Sequence, residues 1–267
     1  MNLTFQSLVI SSLVAFAFSA SAAWTPSTEA EKKGLAIAVQ SKQANTGWGN
    51  SSSEMEMILI NNHGDKSTRK VRSLALEVKN DGDKSLSIFD SPKDVKGTAF
   101  LTFTHIKKND DQWIYLPALK RVKRISSKNK SGPFMGSEFA FEDLSSFEIP
   151  KYAYEYIGDE KVNGKTVSKV KFIPQDQYSG YKYFYNWFSQ IHFQPVKTEF
   201  YDRKGALLKT LTASDFRQFY NGFWRAHQLH VVNHQKKRET QLFFNNYKFN
   251  IGLKDSDFNK RKLKKIR

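Results

Sequence analysis

The strongest constraint on this chain is a rhythm of short segments in which apolar and polar residues alternate, each ended by a turn signal. Met55, Met57 and Leu59 alternate with Glu54 and Glu56, and Arg72, Leu74, Leu76 and Val78 take every second position before Asn80-Asp81-Gly82-Asp83. A period of two belongs to strands, because successive side chains point to opposite faces of a sheet. The rhythm continues through residues 98–105, 112–116, 152–158 and 166–173, then through 182–192, 196–202, 207–217, 224–233 and 239–247. Asn163-Gly164 is the clearest hairpin signal, since both residues tolerate the positive φ of a type I′ turn. Ten or more strands in meander order predict a mainly β protein built on one antiparallel sheet. A sheet that wide must curl or split. No internal repeat, Pro-rich linker or break in composition divides it, so residues 23–267 are expected to form a single domain.

One early segment reads as helix. Thr28-Glu29-Ala30-Glu31 has the capping-box pattern, and Ala30, Gly34, Ile37 and Ser41 then fall on one small, weakly apolar face. The Gly- and Ser-rich stretch 43–53 ends it. A helix of this size can cover part of a concave sheet face without filling it, so a residual cavity is expected. Aromatic residues are dense in 181–188, where Tyr181, Tyr183, Phe184, Tyr185, Trp187 and Phe188 leave neither face of a strand polar. Something is expected to cover each face. The stripe reads either as plain core or as the wall of a binding pocket.

The N-terminus bears on the compartment. Residues 8–18 form an uncharged apolar run, and Ala20-Ser21-Ala22-Ala23 follows, which predicts a signal peptide over residues 1–22 cleaved near Ala22 and export to the periplasm. The run is short for a membrane span. The chain has no Cys, so disulfide staples, thiolate metal sites and cysteine catalysis are excluded. With 42 Lys and Arg against 26 Asp and Glu, the formal charge is +16. Such a protein dwells near polyanions: phospholipid headgroups or lipopolysaccharide in an exported setting, with nucleic acid not expected.

The charge is concentrated. Lys120, Arg121, Lys123, Arg124, Lys128 and Lys130 fall within eleven residues that contain no acid, and Phe134, Met135, Phe139 and Phe141 follow almost at once. One reading is a solvated hairpin face; the other is an anion-attracting rim beside apolar groups that accept a hydrocarbon. Residues 259–267 (NKRKLKKIR) form a second cationic cluster, which reads as a frayed, solvated terminus.

Enzymatic motifs are missing. His227, His230 and His234 lie near Glu239, but on a strand His230 and His234 share one face and His227 takes the other, which disfavours a three-His zinc site. There is no G-x-S-x-G elbow, phosphate-binding glycine loop or dinucleotide fingerprint. Asp110-Asp111 reads as a hairpin turn, and Glu142 and Asp143 as capping groups. No catalytic residue, metal or cofactor is expected.

The chain resembles the periplasmic outer-membrane lipoprotein-sorting proteins of LolA/LolB-like fold, in their larger branch. The resemblance rests on Trp113-Ile114-Tyr115-Leu116-Pro117-Ala118-Leu119-Lys120-Arg121-Val122-Lys123-Arg124-Ile125, on Phe134-Met135-Gly136-Ser137 with Phe139, and on Glu142-Asp143-Leu144. It extends through Pro195-Val196-Lys197, Phe200-Tyr201-Asp202, Gly205, Lys209, Trp224, Asn233 and Thr240 to Asp257-Phe258, Arg261 and Leu263. It implies an incomplete, strongly curved β-barrel with covering helices, an apolar cavity for lipid acyl chains, traffic between inner and outer membranes, and association with RND-type exporters.

Burying an acyl chain is worth about 0.8 kcal/mol per methylene, so a sixteen-carbon chain exposed to water costs on the order of 10 kcal/mol. A carrier needs a greasy enclosure. Tyr115, Leu116, Phe134, Met135, Phe139, Trp187 and Phe188 are the expected cavity and lid residues, with Gly132, Pro133 and Gly136 as hinges. Lys120, Arg121, Lys123 and Arg124 are expected to meet a headgroup or, transiently, an anionic membrane surface. The expected partners are lipid or lipoprotein acyl chains and an RND-type transporter, with the protein itself a monomer. The alternative is a binder of anionic glycan or lipopolysaccharide that carries no acyl chain.

Overall fold

The computed structural model describes residues 24–219 and 222–265; the export signal expected over residues 1–22 lies outside them. Thirteen strands form one antiparallel sheet. The first six are β1 (Asn50–Ile60), β2 (Lys66–Leu76), β3 (Lys84–Ser91), β4 (Ala99–Phe103), β5 (Asp111–Leu116) and β6 (Arg121–Ile125). The other seven are β7 (Tyr152–Val162), β8 (Lys165–Pro174), β9 (Tyr181–Ser189), β10 (Pro195–Asp202), β11 (Leu207–Phe219), β12 (Phe223–Asn233) and β13 (Arg238–Phe249). Their spatial order is β6-β5-β4-β3-β2-β1-β13-β12-β11-β10-β9-β8-β7. The chain meanders outward from β1 to β6, crosses to β7, and meanders back until β13 pairs with β1. Because β6 and β7 do not pair, the curled sheet stays an incomplete barrel, as expected. Residues 126–151 bridge the open seam.

Local chemistry explains much of this path. Asn163 and Gly164, at φ 50° and 76°, make the two-residue turn between β7 and β8. Two strands escape the sequence rhythm. In β3, Leu86, Ile88 and Phe89 are all buried, so its pattern is not a simple alternation. In β6 three of five positions are cationic, which suits an edge strand that must not recruit another chain.

Helix α1 (Glu29–Gln43) starts as predicted: Glu31 N–H donates to Thr28 Oγ1 at 3.1 Å, and Glu31 Oε2 accepts from the Thr28 and Ser27 amides. Gly34, Ala38 and Ser41 are its buried positions. A Cβ at Gly34 would come within 2.8 Å of the Tyr156 amide nitrogen. Glycine therefore lets the helix lie backbone to backbone on β7.

Three apolar clusters follow. Met55, Met57, Val71, Phe89, Phe100 and Ile114 of the first strands pack on Phe134 and Phe139 from the bridging segment. Ala38 of α1 joins Tyr154, Val170, Phe172, Phe184 and Phe188 in the second. On the other face of β3–β6, Phe258 and Leu263 bury themselves against Leu86, Ile88 and Leu101. The tail is therefore anchored, not frayed, over its described residues.

The two faces of β9 are covered by different means. Phe184 and Phe188 face the concave side, whereas Tyr183, Tyr185 and Trp187 line the opposite face. There the cover is a set of lysine side chains: Lys197 and Lys169 lie 4.3 and 4.7 Å from the Trp187 ring centre, and Lys171 lies 5.3 Å from that of Tyr183. Cation–π attraction and the apolar stems together shield the rings.

Candidate functional site

The bridging segment enters the half-barrel and divides it. Residues 133–140 form a tight hairpin in which Phe134 N–H donates to Phe139 O at 2.7 Å and Met135 and Gly136 both take positive φ. Arg69 donates to Met135 O and Arg238 to Gly136 O, so the tip is tied to β2 and β13. Phe134 is 2 % exposed and fills the concavity of β1–β5. Toward β8–β12 no such filler exists among the described residues, and a cavity of about 1080 Å³ remains. Phe139, Phe172, Tyr181, Phe184, Phe188 and Phe200 are among its walls. Its volume is at the top of the roughly 300–1,000 Å³ range of ligand pockets.

A buried polar latch holds the segment against the returning strands. Lys209 of β11 donates to Asp143 Oδ2 at 2.5 Å and to Glu138 O at 2.9 Å, and Tyr181 Oη donates to Asp143 Oδ1 at 2.7 Å. Asp143 Oδ2 also accepts from the Ala140 amide at 2.7 Å, the capping role expected of it. Glu138 accepts from Asn233 Nδ2 at 2.7 Å and pairs with Arg238 at 3.0 Å. Glu142 takes the Gly180 amide and the Ser179 hydroxyl, each at 2.8 Å. A buried charge pair of this kind is held by completing its hydrogen bonds, and losing either partner strands the other.

Electrostatics around the cavity follow from burial. Desolvation raises the Glu142 carboxyl above its usual range despite its two donors. The Tyr181 phenol is pushed well up by burial and by Asp143 beside it. Asp83, at the rim, is pushed up to about 6 by burial, with Lys42 opposing the shift. Most other rim charges are paired: Lys42 with Glu148 at 2.9 Å, Lys130 with Asp176 at 2.6 Å and Lys151 with Asp110 at 2.5 Å.

The histidines near Glu239 go to separate partners. His230 Nε2 lies 2.7 Å from Glu239, His234 Nε2 lies 2.8 Å from Thr210 Oγ1, and His227 Nδ1 faces the carbonyls of Asp215 and Arg225.

Comparison with solved structures places this architecture. An outer membrane lipoprotein-sorting protein domain from Vibrio parahaemolyticus is 55% identical, with a TM-score of 0.86 over 88% of this chain and 99% of its own. The chain belongs to the outer membrane lipoprotein-sorting protein family. A DUF1329 family protein from Desulfovibrio piger, 28% identical, is similar to this family member with a TM-score of 0.83 over 88% of this chain and 100% of its own. A LolA superfamily protein from Nitrosomonas europaea shares the fold at 18% identity, with a TM-score of 0.67 over 85% of this chain and 98% of its own. A family model described as an uncharacterized protein matches residues 81–265. No curated protein matches the chain.

In this lipoprotein-sorting family member, Phe139 and Phe188 of the expected site residues are on the cavity wall. Phe134 and Leu116 belong to the packed cluster of the first strands, with Met135 beside them. Tyr115 lies on the other face under the anchored tail, and Trp187 donates to Glu160 Oε2 at 2.6 Å on the face opposite Phe188. The cations of β6 divide in the same way. Lys123 is opposite Ile114 and Arg121 opposite Leu116, on the concave side, while Arg124 is opposite Trp113 on the convex side and pairs with Asp111 at 2.6 Å. Lys120, Arg121 and Lys123 are exposed. The last turn of the described tail, Leu263–Lys265, packs near β6, so the two cationic clusters of the sequence meet in the fold. In the sequence Tyr181 stood out only as part of an aromatic stripe and Lys209 and Asn233 only as landmarks of the resemblance; their role in the latch, with partners between 38 and 95 residues away, was not read there.

Proposed function

We propose that the protein is an exported, periplasmic carrier that encloses lipid or lipoprotein acyl chains in its half-barrel for transfer toward the outer membrane. One observation carries this reading: a cavity of about 1080 Å³ with aromatic walls, kept open because the bridging segment fills only half of the concave face. Membership of the lipoprotein-sorting family supports it. Phe139, Phe188, Phe172, Phe184 and Phe200 are the proposed acyl-chain contacts. Such rings bind hydrocarbon without directional demands.

Lys120, Arg121 and Lys123, with Arg124 and the tail lysines, are proposed to dock the carrier on anionic headgroups. An RND-type exporter belongs to the same proposal as the membrane partner, with the protein acting as a monomer. Native mass spectrometry of protein purified from periplasm is expected to find bound lipid, and a fluorescent fatty-acyl probe is expected to be taken up. Empty protein together with no uptake would overturn the reading. Changing Lys120, Arg121, Lys123 and Arg124 together to Gln is expected to weaken binding to anionic liposomes and leave the fold intact; unchanged liposome binding would remove the docking role.

The basic surface also favours one second reading, a binder of anionic glycan or lipopolysaccharide. Salt separates the two. A polyanion binder loses most of its affinity as ionic strength rises, whereas acyl-chain uptake persists.

A further inference from the structure

Beside the main cavity lies a second chamber of about 400 Å³, bordered by Trp48, Phe216, Trp224, Arg225 and Tyr247. Asn45, Gln194, Pro195, Leu211 and Leu229 border both spaces. The chambers therefore adjoin through side chains. His192 stacks on Phe216 with ring centres 4.2 Å apart, and lies 5.4 Å from Trp224, which completes an aromatic enclosure.

Arg225 is the unusual member of this enclosure. Its Nη1 donates to Asn45 Oδ1 at 2.6 Å and to the Trp224 carbonyl at 2.9 Å, both neutral acceptors. Its guanidinium carbon is 5.8 Å from the Trp48 ring centre and 5.5 Å from that of Phe249. The acids that act on it from farther off are Glu77 and Asp83. Glu77 is already occupied by the Gly47 and Gly49 amides. Among the described residues no carboxylate forms an ion pair with Arg225, and its Nε and Nη2 donors have no partner. A guanidinium offers five N–H donors in a planar fork matched to carboxylate and phosphate, so the half-buried Arg225 has donors to spare for an anion entering this chamber. Gln194 Nε2, on the shared wall, is buried without a hydrogen-bond partner.

We propose that Arg225 receives the anionic group of an amphiphile, a carboxylate or a phosphate monoester, whose hydrocarbon tail passes Gln194, Leu211 and Leu229 into the main cavity. This inference rests on the carrier reading and names the class of cargo. It gives the cargo a direction: head among Trp48, Trp224 and Arg225, tail against Phe184 and Phe188. The headgroup is held inside the half-barrel, separately from the cations of β6.

The test is calorimetric titration at pH 8 with dodecanoate, dodecyl phosphate and dodecanol, each below its aggregation threshold. The unaltered protein is expected to bind at least one of the two anions about tenfold more tightly than dodecanol, the size of a charge-assisted contact. Which anion is preferred identifies the headgroup. Arg225→Gln is expected to bring the anions down to the affinity of dodecanol and leave dodecanol unchanged, while the fourfold Gln variant of β6 keeps the preference. Equal affinities for all three ligands in the unaltered protein, or an undiminished preference in folded Arg225→Gln, would overturn the inference. Dodecanol binding with no gain from charge defeats the Arg225 site alone; no binding of any of the three defeats the carrier reading as well. Because the three-ligand comparison uses the unaltered protein, equal affinities overturn the inference even if the Arg225 variant does not fold, and a preference that survives in the fourfold Gln variant excludes the β6 cations as its source.

Discussion

The concave face of this sheet is treated in two ways. Along β1–β5 it is packed solid by Phe134 and its neighbours, with Phe89, Phe100 and Phe134 rings 5.0 to 5.9 Å apart. Along β8–β12 comparable rings, such as Phe172 with Phe184 and Phe188, stack on one another at 5.2 and 5.9 Å yet border open space. Both halves present aromatic side chains at the strand period. What differs is the filler: a hairpin tied to β2 and β13 on one side, and only α1 over part of the other. An apolar face becomes core or cavity according to what the rest of the chain brings to it.

Two substitutions would break or sharpen this contrast. Phe134→Ala is expected to destabilise the protein by about 3 to 5 kcal/mol in urea unfolding and to leave probe uptake by the folded fraction unchanged. Phe188→Ala is expected to cost roughly 1 to 2 kcal/mol but to weaken uptake. Equal costs at the two sites would abolish the distinction between the halves.

The latch between them comes next. Lys209→Met strands the Asp143 carboxylate among Tyr181 and the Ala140 amide, and a loss of about 3 kcal/mol is expected. Adding Asp143→Asn should recover part of it, which a double-mutant cycle measures. If the two losses simply add, the pair does not act as a unit.

The rim adds an effect that depends on pH. Asp83 has a carboxyl held at about 6 against an ordinary 3.8. Between those values the folded protein holds a proton that the unfolded chain has released, so stability falls as pH rises through that window and stays lower above it. Asp83→Asn is expected to be more stable than the unaltered protein by on the order of 2 kcal/mol at pH 8, with the difference gone by pH 4. Melting curves at the two pH values check it, and a constant difference would show that ionisation of Asp83 is not the cause.

Much of this molecule was legible one segment at a time. The Thr28–Glu31 cap, the Asn163-Gly164 turn and the alternating strands are written in neighbouring residues, and the meander follows from them. Strand β6 was less legible because its charges, which protect an edge, also look like a solvated turn. The cavity wall was half legible. Aromatic density identified β9, but the choice between Trp187 and Phe188 depends on which face curls inward, and a one-residue difference reverses the answer. The latch was not legible as such, because Lys209 and Asp143 meet only after the segment 126–151 has crossed the seam.

That seam has a mechanical consequence. A closed barrel has its girth set by strand number and stagger, and widening it means breaking ladder hydrogen bonds. Here the ring is a clasp. No ladder joins β6 to β7; the segment 126–151 spans the gap and is tied to β11 and to the turn before β9 by side-chain contacts, those of Asp143 with Lys209 and of Glu142 with Ser179 and Gly180 among them. The contacts that close the clasp are therefore separate from the twelve strand pairings that hold its wall in register.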